Sequence, residues 1–194
     1  MAQPVVFDVE TQNSFREVNN DTKKLRVSVA VAYDYATNKS YSFTEKTIGD
    51  LFRLFEKASL LVGYNSNNFD LVVLSPYYVG DLFSFERFDL MESIKEKTGR
   101  RYPLDDLITA TLSKGKTGHG LQAIDFFREG RIEELTSYCT DDVMLTKELF
   151  DFGITNRFIY LPTAVSKIKV PVSWHLELER KHSEKKSPNL TLGF

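Results

Sequence analysis

The first part of the chain holds three segments in which apolar positions recur at the spacing of a strand. Residues 4–10 alternate within a continuous β-prone run, and residues 25–35 form a second run rich in Val and Ala. Residues 40–44 form a third, after the turn-forming Ala36-Thr37-Asn38-Lys39, so the three read as an antiparallel meander. The period then changes: within residues 47–57, Ile48, Leu51, Phe52 and Phe55 fall on one face of a helix. Residues 60–64 read as a buried strand. Asn67 or Asn68 reads as the N-cap of a short helix carrying Phe69, Leu71, Val72 and Leu74, halted near Pro76. Residues 85–90 fit another short strand, and from Met91 the pattern is helical over 91–97, 104–112, 121–127 and 132–150. After Gly153, residues 157–161 and 166–173 read as a small hairpin.

Strands first with interleaved helices, then a helical second half, predicts an α/β domain whose mixed central sheet is covered by helices on both faces. A length of 194 residues fits one sizeable domain without internal repeats. Residues 179–188, ERKHSEKKSP, are polar and basic enough for a solvated tail. A net charge of −2 gives no global attraction to nucleic acid, so any such binding has to come from local basic patches and bound metal. One cysteine excludes an internal disulfide and agrees with a reducing compartment. The N-terminus has no basic region followed by a long apolar core, and no apolar run approaches 18 residues; the expectation is a soluble, cytoplasmic monomer.

Four carboxylates change this picture. Asp8 and Glu10 lie in the apolar run VVFDVET, and on a strand residues i and i+2 point to the same face, with Cα atoms roughly 6.5 to 7 Å apart. Such a pair can hold oxygen-seeking cations, and the same spacing also fits a solvent face that carries two acids. In the helix over 132–150, Leu135, Tyr138, Asp142, Leu145 and Leu149 form one stripe, which sets Tyr138 and Asp142 among leucines. Either a metal site or a self-contained hydrogen-bonded pair accounts for that placement. Asp141 points elsewhere and reads as solvated. Asp70 stands in the first turn of a helix, where the dipole favours an acid without any function, and just beyond a buried strand end, where ligands collect in α/β sheets.

Together these residues resemble the DEDD superfamily of 3′-to-5′ exonucleases. DVET at 8–11 looks like the first motif, and GYNSNNFD at 63–70 is similar to the second, especially as found in proofreading domains of family B DNA polymerases. Tyr138 and Asp142 fit the third motif, Tyr-x-x-x-Asp, which marks the tyrosine subclass. The resemblance covers about residues 3–152, and FDLMESI at 88–94 with EGRIEELTSYCTDDVMLT at 129–146 looks like the small stand-alone or helicase-associated branch. It implies a ribonuclease H-like fold and two divalent ions, Mg²⁺ or Mn²⁺, ligated by Asp8, Glu10, Asp70 and Asp142. In such a site two cations stabilise the attacking and leaving oxygens of a phosphoryl displacement, with Asp8 bridging them. Tyr138 is a poor base at neutral pH and is assigned to orienting the metal-bound water. The implied product is a 5′-mononucleotide released from a single-stranded end, DNA favoured. An RNA-trimming enzyme and a catalytically silent nucleic-acid or replisome binding module are the alternatives.

Substrate contacts are assigned more loosely. Thr11 and Asn13 follow the first motif where the family contacts the terminal nucleotide, and Asn65 holds the second loop or touches a phosphate. The basic loop 114–120, with Lys114, Lys116 and His119, suits phosphate contact but lacks the spacing of a P-loop, and an exposed loop with a solvated His119 fits the same residues. Asp89 reads as an N-cap in preference to an acid that supports the ligands from behind, and Phe15 as an exposed ring able to stack on a base. The organisation expected is an exonuclease domain over 1–153, an extension over 154–178 and a tail over 179–194. That tail ends in Asn189-Leu190-Thr191-Leu192-Gly193-Phe194, which resembles the Gln-Leu-x-Leu-x-Phe peptide by which bacterial replication and repair proteins dock on the sliding clamp, with Asn in place of Gln. Leu190, Leu192 and Phe194 would fill the clamp pocket, the alternative being that they pack back on the domain.

Overall fold

The alternation of the first strand decides the architecture. In the computed structural model, which describes residues 3–114 and 121–178, β1 (Val5–Thr11) lies at the centre of a five-stranded sheet ordered β3-β2-β1-β4-β5. It pairs antiparallel with β2 (Val27–Asp34), which pairs antiparallel with β3 (Lys39–Thr44), as the meander predicts. On its other side β1 runs parallel to β4 (Leu61–Gly63), which runs parallel to β5 (Arg87–Asp89). The carboxyl ends of β1, β4 and β5 therefore lie along one edge of the sheet.

Odd and even positions of β1 enter different cores. Val5, Phe7 and Val9 pack with Ile48, Leu51, Phe52 and Phe55 of helix α1 (Ile48–Phe55) and with Leu71, Val73 and Leu74 of α2 (Asp70–Leu74). Phe7 and Phe55 meet edge to face at 4.8 Å between centroids. Val6 enters the opposite core, built by α3 (Leu90–Thr98), α4 (Leu104–Leu112), α5 (Leu121–Arg128) and α6 (Ile132–Asn156). Asp8 and Glu10 share the parity of Val6, so the sheet's pleat aims both carboxylates at the α6 side. Pairing with β2 is regular up to Glu10, which faces Val29; Thr11 then faces Val27, and this bulge leaves Ser28 unmatched.

Two expectations are corrected. Neither Asn67 nor Asn68 caps α2: the residue before the helix is Phe69, with no side-chain cap, and the Asn65 carbonyl instead accepts from the N–H groups of Asn68 and Phe69. Helix α6 also runs past residue 150 to Asn156. Gly153 does not stop it, because it serves a packing need: a Cβ there would overlap the Trp174 ring, which is 2% exposed. Trp174 stacks on Phe150 at 6.4 Å and donates from Nε1 to Ser93 Oγ at 3.0 Å, fastening the residues after the hairpin to the core. That hairpin pairs β6 (Phe158–Pro162) antiparallel with β7 (Lys167–Pro171). No described helix is long and apolar enough to cross a membrane.

Candidate active site

Three of the four acids converge. Ligand oxygens of Asp8, Glu10 and Asp142 all lie within 4.8 Å of one another. Strand β1 supplies the first two from adjacent positions on one face, and α6 brings Asp142, 7% exposed, against them. Tyr138 is one turn earlier on the same buried face of α6, whereas Asp141 is exposed. The donor set is all oxygen, and three acids so close repel one another unless a counter-charge lies among them, so the residues suit a hard divalent cation such as Mg²⁺ or Mn²⁺.

Asp70 joins the group from the other side of the strand. It is the first residue of α2 and 2% exposed, and its Oδ1 accepts from the Val9 backbone N–H at 2.8 Å. Burial, and then the charge of Asp8, push its carboxyl well above the usual carboxylate range, with the Val9 N–H acting in the opposite direction. A cation shared with Asp8 would relieve both effects.

The second loop is held by Asp89, which combines the two roles its position offers. Asp89 caps α3, accepting from Met91 N–H at 2.9 Å and Glu92 N–H at 3.2 Å, as expected of an N-cap. It also accepts from Asn65 N–H at 2.9 Å and Asn67 N–H at 3.0 Å, which clamps the loop leading to Asp70. Burial raises its carboxyl above the ordinary range, and these N–H groups lower it. Within the clamped loop Asn65 sits at φ 61°, a left-handed conformation that Asn tolerates. Its place is in the loop's own bonding. Gly63 precedes it because a Cβ there would come within 2.5 Å of Ser66 Cβ.

Cys139 escaped the sequence reading. Fully buried beside Tyr138, its Sγ lies 3.5 Å from Asp8 Oδ2 and 3.6 Å from the Asp8 carbonyl oxygen. Burial and then the charges of Asp8 and Glu10 push the thiol up, so it serves as a neutral donor to Asp8. Nothing in a lone cysteine's sequence context announces this.

Beside the acids opens a cavity of about 690 Å³, lined by Glu10, Thr11, Asn13, Ser14, Phe15, Arg16, Phe69 and Ile124. Thr11 and Asn13 are thus placed together at its rim, with the Thr11 hydroxyl donating to the Asn13 carbonyl at 2.9 Å. Phe15, 45% exposed, and Phe69 lie 5.8 Å apart between centroids. Glu17 fixes this wall: it accepts from Ser14 N–H at 2.7 Å and pairs with Arg128 of α5 at 2.6 Å. Phe69 and Ile124 escaped notice because both read as core positions. Lys114 does not line this cavity; its Nζ pairs with Glu148 of α6 at 2.5 Å. Lys116, His119, Leu190, Leu192 and Phe194 lie outside the described residues.

Residues 77–151 match a family described as predicted 3′-5′ exonucleases related to the exonuclease domain of PolB. The matched stretch holds Tyr138 and Asp142; Asp8, Glu10 and Asp70 precede it. Among solved structures, the family B DNA polymerase of the hyperthermophilic archaeon Pyrobaculum calidifontis is similar with a TM-score of 0.59 and 16% identity, over 81% of this chain and 26% of that one. E. coli ExoI, in the zinc ion bound form of its complex with ssDNA, is similar with a TM-score of 0.50 and 15% identity, over 81% of this chain and 41% of that one. The chain thus spans about a quarter and two fifths of these structures' lengths. No curated protein sequence matches. The ribonuclease H-like fold and the resemblance to DEDD exonucleases are borne out.

Proposed function

From this likeness to 3′-5′ exonucleases, we propose that the chain hydrolyses phosphodiester bonds one nucleotide at a time from single-stranded DNA 3′ ends, with two divalent ions as cofactors. The observation that carries the reading is the convergence of Asp8, Glu10 and Asp142 within 4.8 Å, with Asp70 bonded to the same strand. Those four acids would hold Mg²⁺ or Mn²⁺, which when bound lower the pKa of a coordinated water and offset charge on the phosphate. Asp8, whose ligand oxygen lies within 4.8 Å of those of Glu10 and Asp142 and whose charge raises the Asp70 carboxyl, would take part in holding both ions. Tyr138 orients the attacking water by a hydrogen bond.

The cavity lined by Phe15 and Phe69 receives the terminal base by stacking, and Thr11 and Asn13 at its rim contact the terminal sugar. Water oxygen attacks phosphorus as the bond from phosphorus to the 3′ oxygen breaks. The phosphate leaves on the released 5′-mononucleotide, and the shortened strand keeps a 3′ hydroxyl. Lys116 and His119 are proposed phosphate contacts, as is Lys114 once released from Glu148. Leu190, Leu192 and Phe194 are proposed to tether the enzyme to a sliding clamp, checked by binding of the isolated tail peptide to that clamp.

The test is incubation with 3′- and 5′-labelled single-stranded DNA and RNA, each with Mg²⁺, Mn²⁺ or chelator. Stepwise loss from the 3′ end of DNA, dependent on metal and abolished in folded Asp8→Ala and Asp142→Ala proteins, supports the proposal. Faster trimming of RNA moves the substrate to RNA. Hydrolysis unchanged in either variant removes the assignment of the site.

A further inference from the structure

The solvent face of the β6–β7 hairpin presents chemistry that the carboxylate site does not use. Alternation along β6 buries Ile159 and Leu161 and leaves Phe158 and Tyr160 half-exposed on the other face. These rings continue a row that starts on α6: Phe152 meets Phe158 at 5.5 Å and Phe158 meets Tyr160 at 5.4 Å, both edge to face. Two exposed lysines of β7 lie over the row, Lys169 Nζ at 3.6 Å from the Phe158 centroid and Lys167 Nζ at 4.4 Å from that of Tyr160. Residues 157–172 contain Arg157, Lys167 and Lys169 and no Asp or Glu, in a chain whose net charge is −2. Asp106 of α4 borders the face, lining a depression with Lys167.

An exposed sheet face of adjacent rings interleaved with cations matches the requirements of an unpaired polynucleotide: bases stack on rings without regard to sequence, and the cations meet phosphates. We propose that this face is a second binding site for single-stranded DNA, separate from the carboxylate cleft. On binding, Lys169 swings from its ring to a phosphate, Lys167 follows on giving up the bond its Nζ donates to the Ala110 carbonyl at 2.8 Å, and bases take their place on the rings. From Tyr138 to Asn156 helix α6 rises about 27 Å, so the face engages only strands that extend several nucleotides from the cleft. The choice of DNA rests on the function proposed above; the stacking and charge argument does not.

The experiment measures anisotropy of labelled oligodeoxythymidines of about 4 and about 16 nucleotides with the full chain in chelator, where no hydrolysis is needed for a signal. Lys169→Glu, at an exposed position, and Phe158→Ala are each expected to weaken binding of the long oligonucleotide about tenfold and to leave the short one unchanged. The slope of log affinity against log salt for the long strand falls by about 0.7 for each lysine removed. Hydrolysis of the short substrate stays at the wild-type rate in both variants if the chain proves to be a nuclease. Loss of long-strand binding in the variants supports the site even where no hydrolysis occurs. Long-strand binding equal to wild type in Lys169→Glu, or tighter binding of an RNA strand of the same length, overturns it.

Discussion

The Val9 backbone N–H donates to Asp70 Oδ1 at 2.8 Å, so the strand that carries Asp8 and Glu10 also positions an acid 61 residues further on. The bond needs an acceptor oxygen and no charge. Asp70→Asn keeps a carbonyl oxygen for Val9 and removes a buried charge beside Asp8. The folded carboxyl titrates above its ordinary value of 3.8, so the native state binds the proton more tightly than the unfolded state does. Wild-type stability from this group is therefore lost as pH rises from 3.8 through the folded pKa. In chelator, Asp70→Asn should melt higher than wild type at neutral pH, with the gap closing as pH falls toward 3.8. Added Mn²⁺ should raise the wild-type melting temperature and leave the variant's little changed.

Tyr138→Phe removes one hydroxyl from a buried face of α6 and keeps the ring. Turnover is expected to fall about 10- to 1000-fold, with metal affinity near wild type, because a single positioning bond is lost. Calorimetric titration of Mn²⁺ beside a rate measurement checks this. Metal binding lost as fully as in Asp142→Ala would make the tyrosine structural.

Phe15 is 45% exposed at the mouth of the cavity, with the Phe69 ring 5.8 Å away. Truncation to Ala should raise KM for single-stranded DNA about tenfold, the scale of one lost base stack, with the melting temperature within a degree or two of wild type. An unchanged KM would place the terminal base elsewhere.

Gly63 tests the loop before Asp70. Its missing Cβ leaves room for the Ser66 side chain, itself 2% exposed, so Gly63→Ala should cost about 1 to 3 kcal/mol of stability by overpacking and should slow hydrolysis by moving Asp70. Ser66→Gly in the same protein removes the clashing atoms and should recover most of both losses. Denaturant unfolding and initial rates of the wild type and the two variants give the comparison.

The parts of the site that follow a simple period were legible beforehand. Alternation placed Asp8 and Glu10 on one face, and the stripe of 3- and 4-residue spacing placed Tyr138 with Asp142, because strand and helix geometry need no knowledge of partners. Leu145, expected on that stripe with equal weight, is only partly buried, while Cys139 and Val143, off the stripe, are fully buried. Contact with β1 and β2 selects the face that packs. The cap of α2 was misplaced because Asn65 at positive φ builds the turn from backbone groups, so neither Asn67 nor Asn68 is needed as a cap. Asn67 and Asn68 instead donate to Glu92, and Asn67 accepts from Arg87. These partners, like the clamp of Asp89, join residues 20 or more positions apart, beyond any local pattern.

Helix α6 sets where this chain can change length. Each residue turns the helix by about 100°, and Asp142 at the acid cluster and Phe150 against Trp174 are fixed at two places along it. One residue inserted or deleted between them would turn one anchor about 100° off its packing face while the other stayed seated. The hairpin turn has no such phase to keep, and Val165 at its tip is 95% exposed. Tags, linkers or inserted domains should therefore be tolerated around residues 163–166 at the cost of the Thr163–Ser166 bonds, whereas the same insertions between 142 and 150 should disconnect the acid from the core that holds it.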